Sequence, residues 1–408
     1  IMNSGEFILE VPAELRMRRR RRRKDDRANA RQSGKSLLYR TSTAIQEEGN
    51  PMKTVAIVAC SNGQKEEYRS QNEELARYLE ETGHKVLWSN DIYEKNAAFS
   101  GTGAERAAEL MRFFNDPEVE EIYDISGGDL ANQVLDGLDY AAIRRSRAVF
   151  WGYSDLTTVI NAIYAQTGKS SVLYQVKNMV WGEGKEVQRR RFENRAALFD
   201  PQVRFVQGEK MEGVVVGGNI RCFLKLAGTC YFPDLWDKIL LLEAYGGEVP
   251  QMATYLAQLK QLGAFEKVGG ILLGTFTAME AHACSPDITA LVKEAAGTKI
   301  TIAKTQEIGH GNDAKAIRIG EKIYCCGDEA CRNYRRSGIF FSGAEPRIRQ
   351  QYLRSRNRAV QLYTAAAVRD HDDLKCGALN HRIFYLRKGI RREDGLHQCG
   401  AAGISGNF

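Results

Sequence analysis

Short apolar runs alternate with amphipathic stretches from residue 54 to about residue 168. Buried parallel strands are typically short continuous apolar runs, whereas surface helices repeat their apolar positions at the helical period. Strands that alternate with helices favour a doubly wound parallel sheet. The pattern predicts strands at 54–59, 85–88, 121–125 and 148–151, and helices at 66–82, 104–115, 130–138 and 157–166.

The pattern changes after residue 169. The stretch 182–197 is polar, which indicates a connection between two domains. Further strands are predicted at 203–206, 213–216, 238–242, 270–273, 300–303 and 316–319, with a helix at 251–262. The sequence therefore predicts a second, mixed α/β domain. We place the N-terminal domain at 52–168, the linker between domains at 169–198 and the second domain at 199–323.

The two ends of the chain lack this pattern. Residues 1–51 include an uninterrupted arginine run at 18–23 and carry a net charge of +5, and residues 324–408 carry +7. Because the whole chain is also +7, the body between the ends is at −5. We expect 1–51 to be a disordered, non-native extension, and 324–408 to be a basic tail that is poorly ordered or non-native. An acidic body repels phosphate, so nucleic acid is not an expected partner.

Composition narrows the class of protein further. The chain has 408 residues, 43% hydrophobic and 27% charged, which is typical of a globular protein with two or three domains. No apolar stretch approaches the ~20 residues that span a bilayer, and no apolar segment follows the arginines as in a secretory signal. Of nine cysteines only Cys325, Cys326 and Cys331 are close in sequence, which favours thiols in a cytoplasmic protein. No metal and no cofactor are expected.

Three glycine-flanked or buried positions carry candidate chemistry. Gly127-Gly128 stands where a strand ends and a helix begins, so backbone N–H groups there could bind an anion or oxyanion, although a tight turn alone would need glycine. Glu243 closes a buried apolar strand and is expected to have a partner, unless it is a surface residue at a strand end. His310 lies between two glycines. A lone histidine is often structural, yet histidine beside a carboxylate is the usual arrangement of a general base.

These segments resemble the LD-carboxypeptidase family of serine peptidases, which includes the muramoyl-tetrapeptide carboxypeptidases and the microcin C immunity peptidases. The resemblance covers about residues 53–323 and implies a flavodoxin-like N-terminal domain, a swivelling-type C-terminal domain, a site between them and a homodimer. The matching motifs, in chain order, are 54–59, Gly127-Gly128 with the following helix, Gly-Tyr-Ser-Asp-Leu-Thr at 152–157, Gly-Gly-Asn at 217–219, Leu-Ala-Gly-Thr at 226–229, Ile-Leu-Leu-Leu-Glu at 239–243, Gly-Thr-Phe at 274–276 and Gly-His-Gly at 309–311.

The resemblance also implies a Ser–Glu–His triad in that chain order. Glu243 would orient His310, and His310 would act as general base and then as general acid. The resemblance puts the nucleophile four residues after Gly127. This position is Ala131, which has no hydroxyl to activate.

The turn around the predicted nucleophile supplies the expected binding groups. The resemblance assigns oxyanion and substrate binding to Gly128, Asp129 and the N–H of Asn132, which follows the nucleophile position. Asp129 stands where the family more often has an aromatic residue, and its charge would disfavour an anionic substrate.

Three interpretations of Ala131 stay open at this point. Another hydroxyl, from Ser126 or Ser154, could replace the missing nucleophile; His310 and Glu243 could activate water directly; or the protein could bind ligands without cleaving them.

The leading hypothesis is a cytoplasmic LD-carboxypeptidase-like hydrolase that cleaves an L,D-peptide bond in peptidoglycan-derived or related peptides. The alternative is a non-catalytic binder of cell-wall peptides or microcin-like acyl nucleotides. A flavodoxin-like nucleotide-binding module is disfavoured, because the sequence lacks a Gly-x-Gly-x-x-Gly or phosphate-binding loop.

Overall fold

A computed structural model of the chain describes residues 53–326 and the backbone of a short strand at 339–341. The described residues form two β-sheets, each covered by helices, which is a two-domain α/β architecture as predicted. The expected extension at 1–51 and most of the expected tail at 324–408 lie outside the described residues.

The first sheet is a doubly wound sheet of six strands. Its order is β2-β1-β3-β4-β5, all parallel, with β11 added antiparallel beside β5. The order 2-1-3-4-5 is that of flavodoxin-like folds, in which ligands bind beyond the carboxyl ends of the strands. The strands are β1 (Lys53–Val58), β2 (His84–Trp88), β3 (Val119–Asp124), β4 (Val149–Gly152), β5 (Ser171–Leu173) and β11 (Ile317–Ile319).

Helices cover both faces of this sheet. The sequence signals for their ends are local: Thr102 and Glu105 form a capping box at the start of α2, and Gly168, with a φ of 74°, ends α4. The helices of this half of the chain are α1 (Arg69–Glu81), α2 (Gly103–Phe114), α3 (Tyr140–Arg145), α4 (Thr157–Thr167), α5 (Lys185–Glu193) and α6 (Arg195–Leu198). Apolar side chains pack on each face into separate clusters, one that includes Leu110 and Phe113 and one that includes Leu75 and Leu79.

The second sheet has seven strands in the order β13-β12-β7-β8-β9-β10-β6. Its centre, from β7 to β10, is parallel, and β12 and β6 pair antiparallel at the two sides. The strands are β6 (Arg204–Gln207), β7 (Lys210–Asn219), β8 (Lys238–Ala244), β9 (Gly270–Phe276), β10 (Ile302–Lys304), β12 (Lys322–Cys326) and β13 (Ile339–Phe341). The helices are α7 (Ile220–Leu224), α8 (Val249–Gln261), α9 (Ala264–Lys267), α10 (Thr277–Ala281) and α11 (Ile288–Ala296).

The N-terminal end of α4 packs against β7 and joins the two halves of the molecule. The Asn161 side chain accepts a hydrogen bond from the N–H of Gly217 (2.9 Å) and donates one to its C=O (2.8 Å). The N–H of Asn219 donates to the Thr157 hydroxyl at 3.0 Å. Gly218 has a φ of 132°, and a Cβ there would lie 2.8 Å from the Thr157 hydroxyl oxygen. The Gly-Gly-Asn motif is therefore needed for close approach of the two domains.

Three elements differ from the sequence prediction. The predicted helix at 130–138 is a 3₁₀ helix, Ala131–Gly137. β5 lies beyond the predicted end of the first domain at residue 168, because a three-residue strand is too short to show a pattern. The predicted strand at 316–319 was placed in the second domain, yet β11 completes the edge of the first sheet. Pairing between strands so far apart in the chain leaves no local signal.

The described helices and cysteines can be compared with the expectations from composition. None of the helices in the described part of the chain is long and apolar enough to cross a membrane. Free thiols, as expected, occur at Cys60, Cys222, Cys230, Cys284 and Cys325. Cys326 is instead disulfide-bonded.

Candidate active site

Ser154 stands on a sharp turn between strand β4 and helix α4. Tyr153 is still extended, Ser154 has a φ of 52°, and a short 3₁₀ turn, Ser154–Leu156, leads directly into the helix. A positive φ is uncommon for a residue other than glycine and marks local strain. A Cβ on Gly152 would lie 2.6 Å from the Leu156 Cβ, so glycine is required for the turn to close. This strand–turn–helix arrangement exposes a side chain above the end of a sheet, as in a nucleophile elbow.

The imidazole of His310 lies between Ser154 and Glu243. Its Nε2 is 3.2 Å from the Ser154 Oγ, and its Nδ1 is 2.7 Å from the Glu243 Oε2. Nδ1–H facing a carboxylate fixes the tautomer in which Nε2 accepts the hydroxyl proton. Glu243 is fully buried, so the hydrogen bond to His310 provides the partner that a buried carboxylate needs.

Irregular backbone in the second domain orients the side chains of Glu243 and His310. Between β8 and β9, Leu242 pairs with Leu273 and Ala244 pairs with Phe276, so Glu243 sits at a β-bulge. Bulges re-aim side chains and are frequent next to active sites. Gly309 has a φ of 141°, and a Cβ there would lie 1.9 Å from the Thr275 hydroxyl oxygen. The glycine before His310 therefore lets the loop lie directly on β9.

Two tyrosine rings enclose the imidazole. The Tyr153 ring centroid is 4.4 Å from that of His310, and the Tyr245 ring centroid is 5.0 Å away. Tyr153 is buried, and burial, reinforced by the charge of Glu243, raises the pKa of its hydroxyl. Tyr245 is 63% exposed and forms the solvent side of the pair.

The structure brings the predicted Glu243 and His310 into hydrogen-bond contact, and it places Ala131 beside Asp155, the residue that follows Ser154. Ala131 is fully buried among apolar side chains, and its N–H donates to the Asp155 Oδ2 at 2.8 Å. The hydroxyl beside His310 belongs to Ser154. Ser154 is one of the two residues considered from the sequence as a source of the hydroxyl that Ala131 lacks.

The second serine considered from the sequence, Ser126, is engaged elsewhere. Its hydroxyl donates to the Asp124 Oδ1 at 2.5 Å and accepts from the N–H of Ser61 at 2.9 Å. Ser126 is buried, so its side chain ties the loop after β3 to the loop after β1. Of the two substitutes considered, only Ser154 contacts His310.

The remaining predicted residues lie on the loop after β3. Gly128 has a φ of 121° and packs against Asn62, whose side chain accepts the N–H of Asp129 at 3.0 Å. The Asp129 carboxylate pairs with Arg221, and this hydrogen bond holds its pKa below the ordinary value. Asn132 is exposed in the 3₁₀ helix. Its predicted oxyanion role depended on a nucleophile at Ala131; the residue that follows Ser154 is Asp155.

Sequence reasoning named Ser154 only as one of two substitute hydroxyls, although a stronger signal for it was present. The segment Gly152-Tyr153-Ser154-Asp155 follows a predicted strand and precedes a predicted helix, which is the context of an elbow serine. The residue's positive φ and the docking of the second domain above it are not visible in the sequence.

A serine on a strained elbow, a histidine beside it and a buried glutamate behind the histidine form the arrangement of a serine hydrolase. Family models agree with this class: the LD-carboxypeptidase N-terminal domain matches residues 55–174 and the LD-carboxypeptidase C-terminal domain matches residues 212–324. The chain belongs to the LD-carboxypeptidase family.

Named relatives and solved structures are consistent with this family. A probable murein peptide carboxypeptidase of Bacillus subtilis is 29% identical over 219 residues, 51% of this chain and 67% of the relative. The murein tetrapeptide carboxypeptidase of Pseudomonas aeruginosa is 24% identical over 267 residues, 61% of this chain and 86% of the relative. The structure of MccF in complex with glutamyl sulfamoyl guanosine superposes with a TM-score of 0.64 at 19% identity, covering 72% of this chain and 96% of that one. This last similarity shows the fold.

Proposed function

We propose that this protein is an LD-carboxypeptidase that cleaves an L,D-peptide bond in peptidoglycan-derived peptides, with Ser154 as nucleophile. The observation that carries the proposal is the continuous hydrogen-bond series from Ser154 through His310 to Glu243. The names of the relatives, murein peptide and murein tetrapeptide carboxypeptidase, support the substrate class.

The proposed reaction follows from the atoms in contact. The Ser154 Oγ attacks the carbonyl carbon of the scissile bond while its proton passes to the His310 Nε2. His310 then gives that proton to the nitrogen of the leaving D-amino acid, and the acyl group remains on Ser154. Water, deprotonated by His310, then attacks the acyl carbon, and His310 returns that proton to the Ser154 Oγ as its bond to the acyl group breaks. Glu243 stabilises the imidazolium that forms in both steps.

The developing oxyanion needs N–H donors near the elbow. In nucleophile-elbow enzymes one donor is the N–H of the residue after the nucleophile, which is Asp155 in this chain. A second donor comes from a neighbouring loop, and we assign it to the Gly127-Gly128 turn. Space beside Gly127 is open, with no atom within 4 Å of where a Cβ would lie. Removing one such donor typically costs about 10²–10³ in kcat.

The direct test is release of D-alanine from a tetrapeptide stem by the purified protein. Ser154→Ala and His310→Ala are expected to reduce kcat by about 10⁶, to the background that binding alone supplies. Glu243→Gln is expected to reduce it by about 10⁴, because the imidazole loses its orienting carboxylate. Thermal unfolding of each variant checks that the fold is intact.

Ser126→Ala is the matched control, because it removes the other nearby hydroxyl. We expect this variant, where folded, to keep kcat close to wild type. Activity that survives in Ser154→Ala and disappears in Ser126→Ala would contradict the proposed nucleophile. A second substrate arm, an aminoacyl sulfamoyl nucleoside, separates a peptide-cleaving enzyme from one of the MccF type. The alternative of a binder without catalysis rested on Ala131 and predicts no turnover in either arm.

The assembly and location of the protein belong to the same proposal. We propose a homodimer, as the family resemblance implies, and a cytoplasmic location. Light scattering of the purified protein measures the first, and cell fractionation of the source organism measures the second. A monomer at micromolar concentration would contradict the dimer without affecting the proposed chemistry.

A further inference from the structure

The carboxylate of Asp155, the residue directly after Ser154, is fully buried and accepts hydrogen bonds from three separate parts of the chain. Its Oδ2 accepts from the Ser61 hydroxyl at 2.7 Å and from the N–H of Ala131 at 2.8 Å. Its Oδ1 accepts from the Lys225 Nζ at 2.6 Å. The first two donors lie on loops of the N-terminal domain, after β1 and β3. Lys225 follows α7 and belongs to the second domain.

Lys225 also contacts a second residue of the first domain, Asp129. Its Nζ donates to the backbone C=O of Asp129 at 3.0 Å and lies 3.6 Å from the Asp129 Oδ1. The side chain is only 20% exposed, so the ammonium group is largely withdrawn from water. The ammonium group of Lys225, from the second domain, therefore contacts two loops of the first domain, at the end of the sheet that carries Ser154.

The location of this ion pair matters because the triad is divided between the domains. Ser154 comes from the first domain, whereas His310 and Glu243 come from the second. The hydrogen bond from Ser154 to His310 is 3.2 Å long, and a small displacement between the domains would break it. The strained φ of Ser154 also persists only while its neighbours hold it in place.

We infer that Lys225 is a positioning residue: its ion pair with Asp155 sets the alignment of the Ser154 hydroxyl with His310 across the domain interface. Removing Lys225 leaves the buried Asp155 carboxylate without the cation that contacts it, and a buried charge that loses its partner is strongly destabilising. We expect Asp155 to move in response, and this movement shifts the peptide that follows Ser154. The inference rests on the proposed nucleophile, but it does not depend on which substrate is cleaved.

The experiment compares Lys225→Met with Lys225→Arg and with a matched control, Lys304→Met. Lys304 also forms an ion pair of the second domain, 2.8 Å to Glu280, and is 12% exposed, but it lies on β10. The readouts are the labelling rate of Ser154 by a fluorophosphonate probe, located by peptide mass, and kcat and KM for the tetrapeptide. Urea unfolding is measured for every variant.

Lys225→Met is expected to slow labelling and reduce kcat by about tenfold or more, with KM within about twofold of wild type. Lys225→Arg keeps a cation and should recover most of the labelling rate. Lys304→Met should label at the wild-type rate even where it loses stability. If Lys225→Met fails to fold, the double variant Asp155→Asn with Lys225→Met removes both buried charges; we expect it to fold and still to label slowly.

Wild-type labelling in Lys225→Met, or equal slowing in Lys304→Met, would overturn the inference while leaving the proposed function intact. If wild type is labelled at Ser154 but cleaves no tetrapeptide, the proposed substrate fails and the labelling rates still test Lys225. Absence of labelling at Ser154 in the wild-type protein would overturn both.

Discussion

At the scale of single residues, the environment of Ala131 determines what a hydroxyl there would do. The methyl group is fully buried in the core that includes Val134 and Leu135. We expect Ala131→Ser to give no increase in D-alanine release, because Ser154 already occupies the position beside His310. A buried hydroxyl without a partner costs about 1–3 kcal/mol, which urea unfolding would detect. A gain in activity at unchanged stability would show that position 131 reaches the substrate.

A carboxylate at the surface of α2 gives a pH-dependent prediction. Burial opposes ionisation of Glu109, but hydrogen bonds from Arg112 and from the N–H of Asn90 outweigh it and lower its pKa to about 2. A lowered pKa in the folded state stabilises the fold above the ordinary value of about 4.3, and this stability is lost as pH falls toward 2.

Glu109→Gln should therefore lower the free energy of unfolding at pH 7 by about 1.5–3 kcal/mol, the range for hydrogen bonds to a charged group. The difference from wild type should shrink between about pH 4.5 and pH 2. Urea unfolding at several pH values measures it. A difference that does not change with pH would mean that packing, not charge, is responsible.

At the scale of elements, α4 contacts β7 and joins the two domains, and substitutions at this contact test how much it stabilises the protein. Asn161→Leu would leave the N–H and C=O of Gly217 buried without partners, at about 1–3 kcal/mol for each group. Gly217→Ala should lower the free energy of unfolding at least as much, because a Cβ would lie 2.2 Å from the Leu241 carbonyl oxygen.

Gly246→Ala is the control for these interface variants, since no atom lies within 4 Å of the added Cβ. We expect it to be close to neutral in urea unfolding. If Asn161→Leu were equally neutral, the hydrogen bonds to β7 would not contribute to docking of the domains.

The strands and helices could be predicted from the sequence wherever a long periodic segment ends at a local signal. The helix at 104–115 is an example, because its capping box and apolar stripe are both contiguous in the chain. Glu243 and His310 could be paired through the family resemblance. The serine beside His310 could not be chosen from the sequence, because two strand ends, after β3 and after β4, both offer a turn followed by a helix. Only the docking of the second domain decides which of them faces His310.

At the scale of the whole molecule, β11 links the halves of the chain. Ile317 and Ile319 are fully buried in an apolar cluster that contains side chains of both domains, and their strand pairs with the first sheet although it follows most of the second domain in the chain. We expect the protein to unfold in urea in one transition, with near-ultraviolet and far-ultraviolet circular dichroism giving the same midpoint. Two separated transitions would show that the sheets are independently stable and that β11 contributes little.

The position of β11 in the chain also sets an order of events during synthesis. Domains generally fold as they emerge from the ribosome, beginning at the N-terminus. The edge of the first sheet stays open at β5 until residue 319 has been made, and His310 emerges only shortly before it. Ser154 is therefore made well before its sheet is complete and before His310 is available. We expect a nascent chain stalled before His310 to be inert toward peptides, so that the proposed hydrolytic activity begins only when the body of the protein is essentially complete.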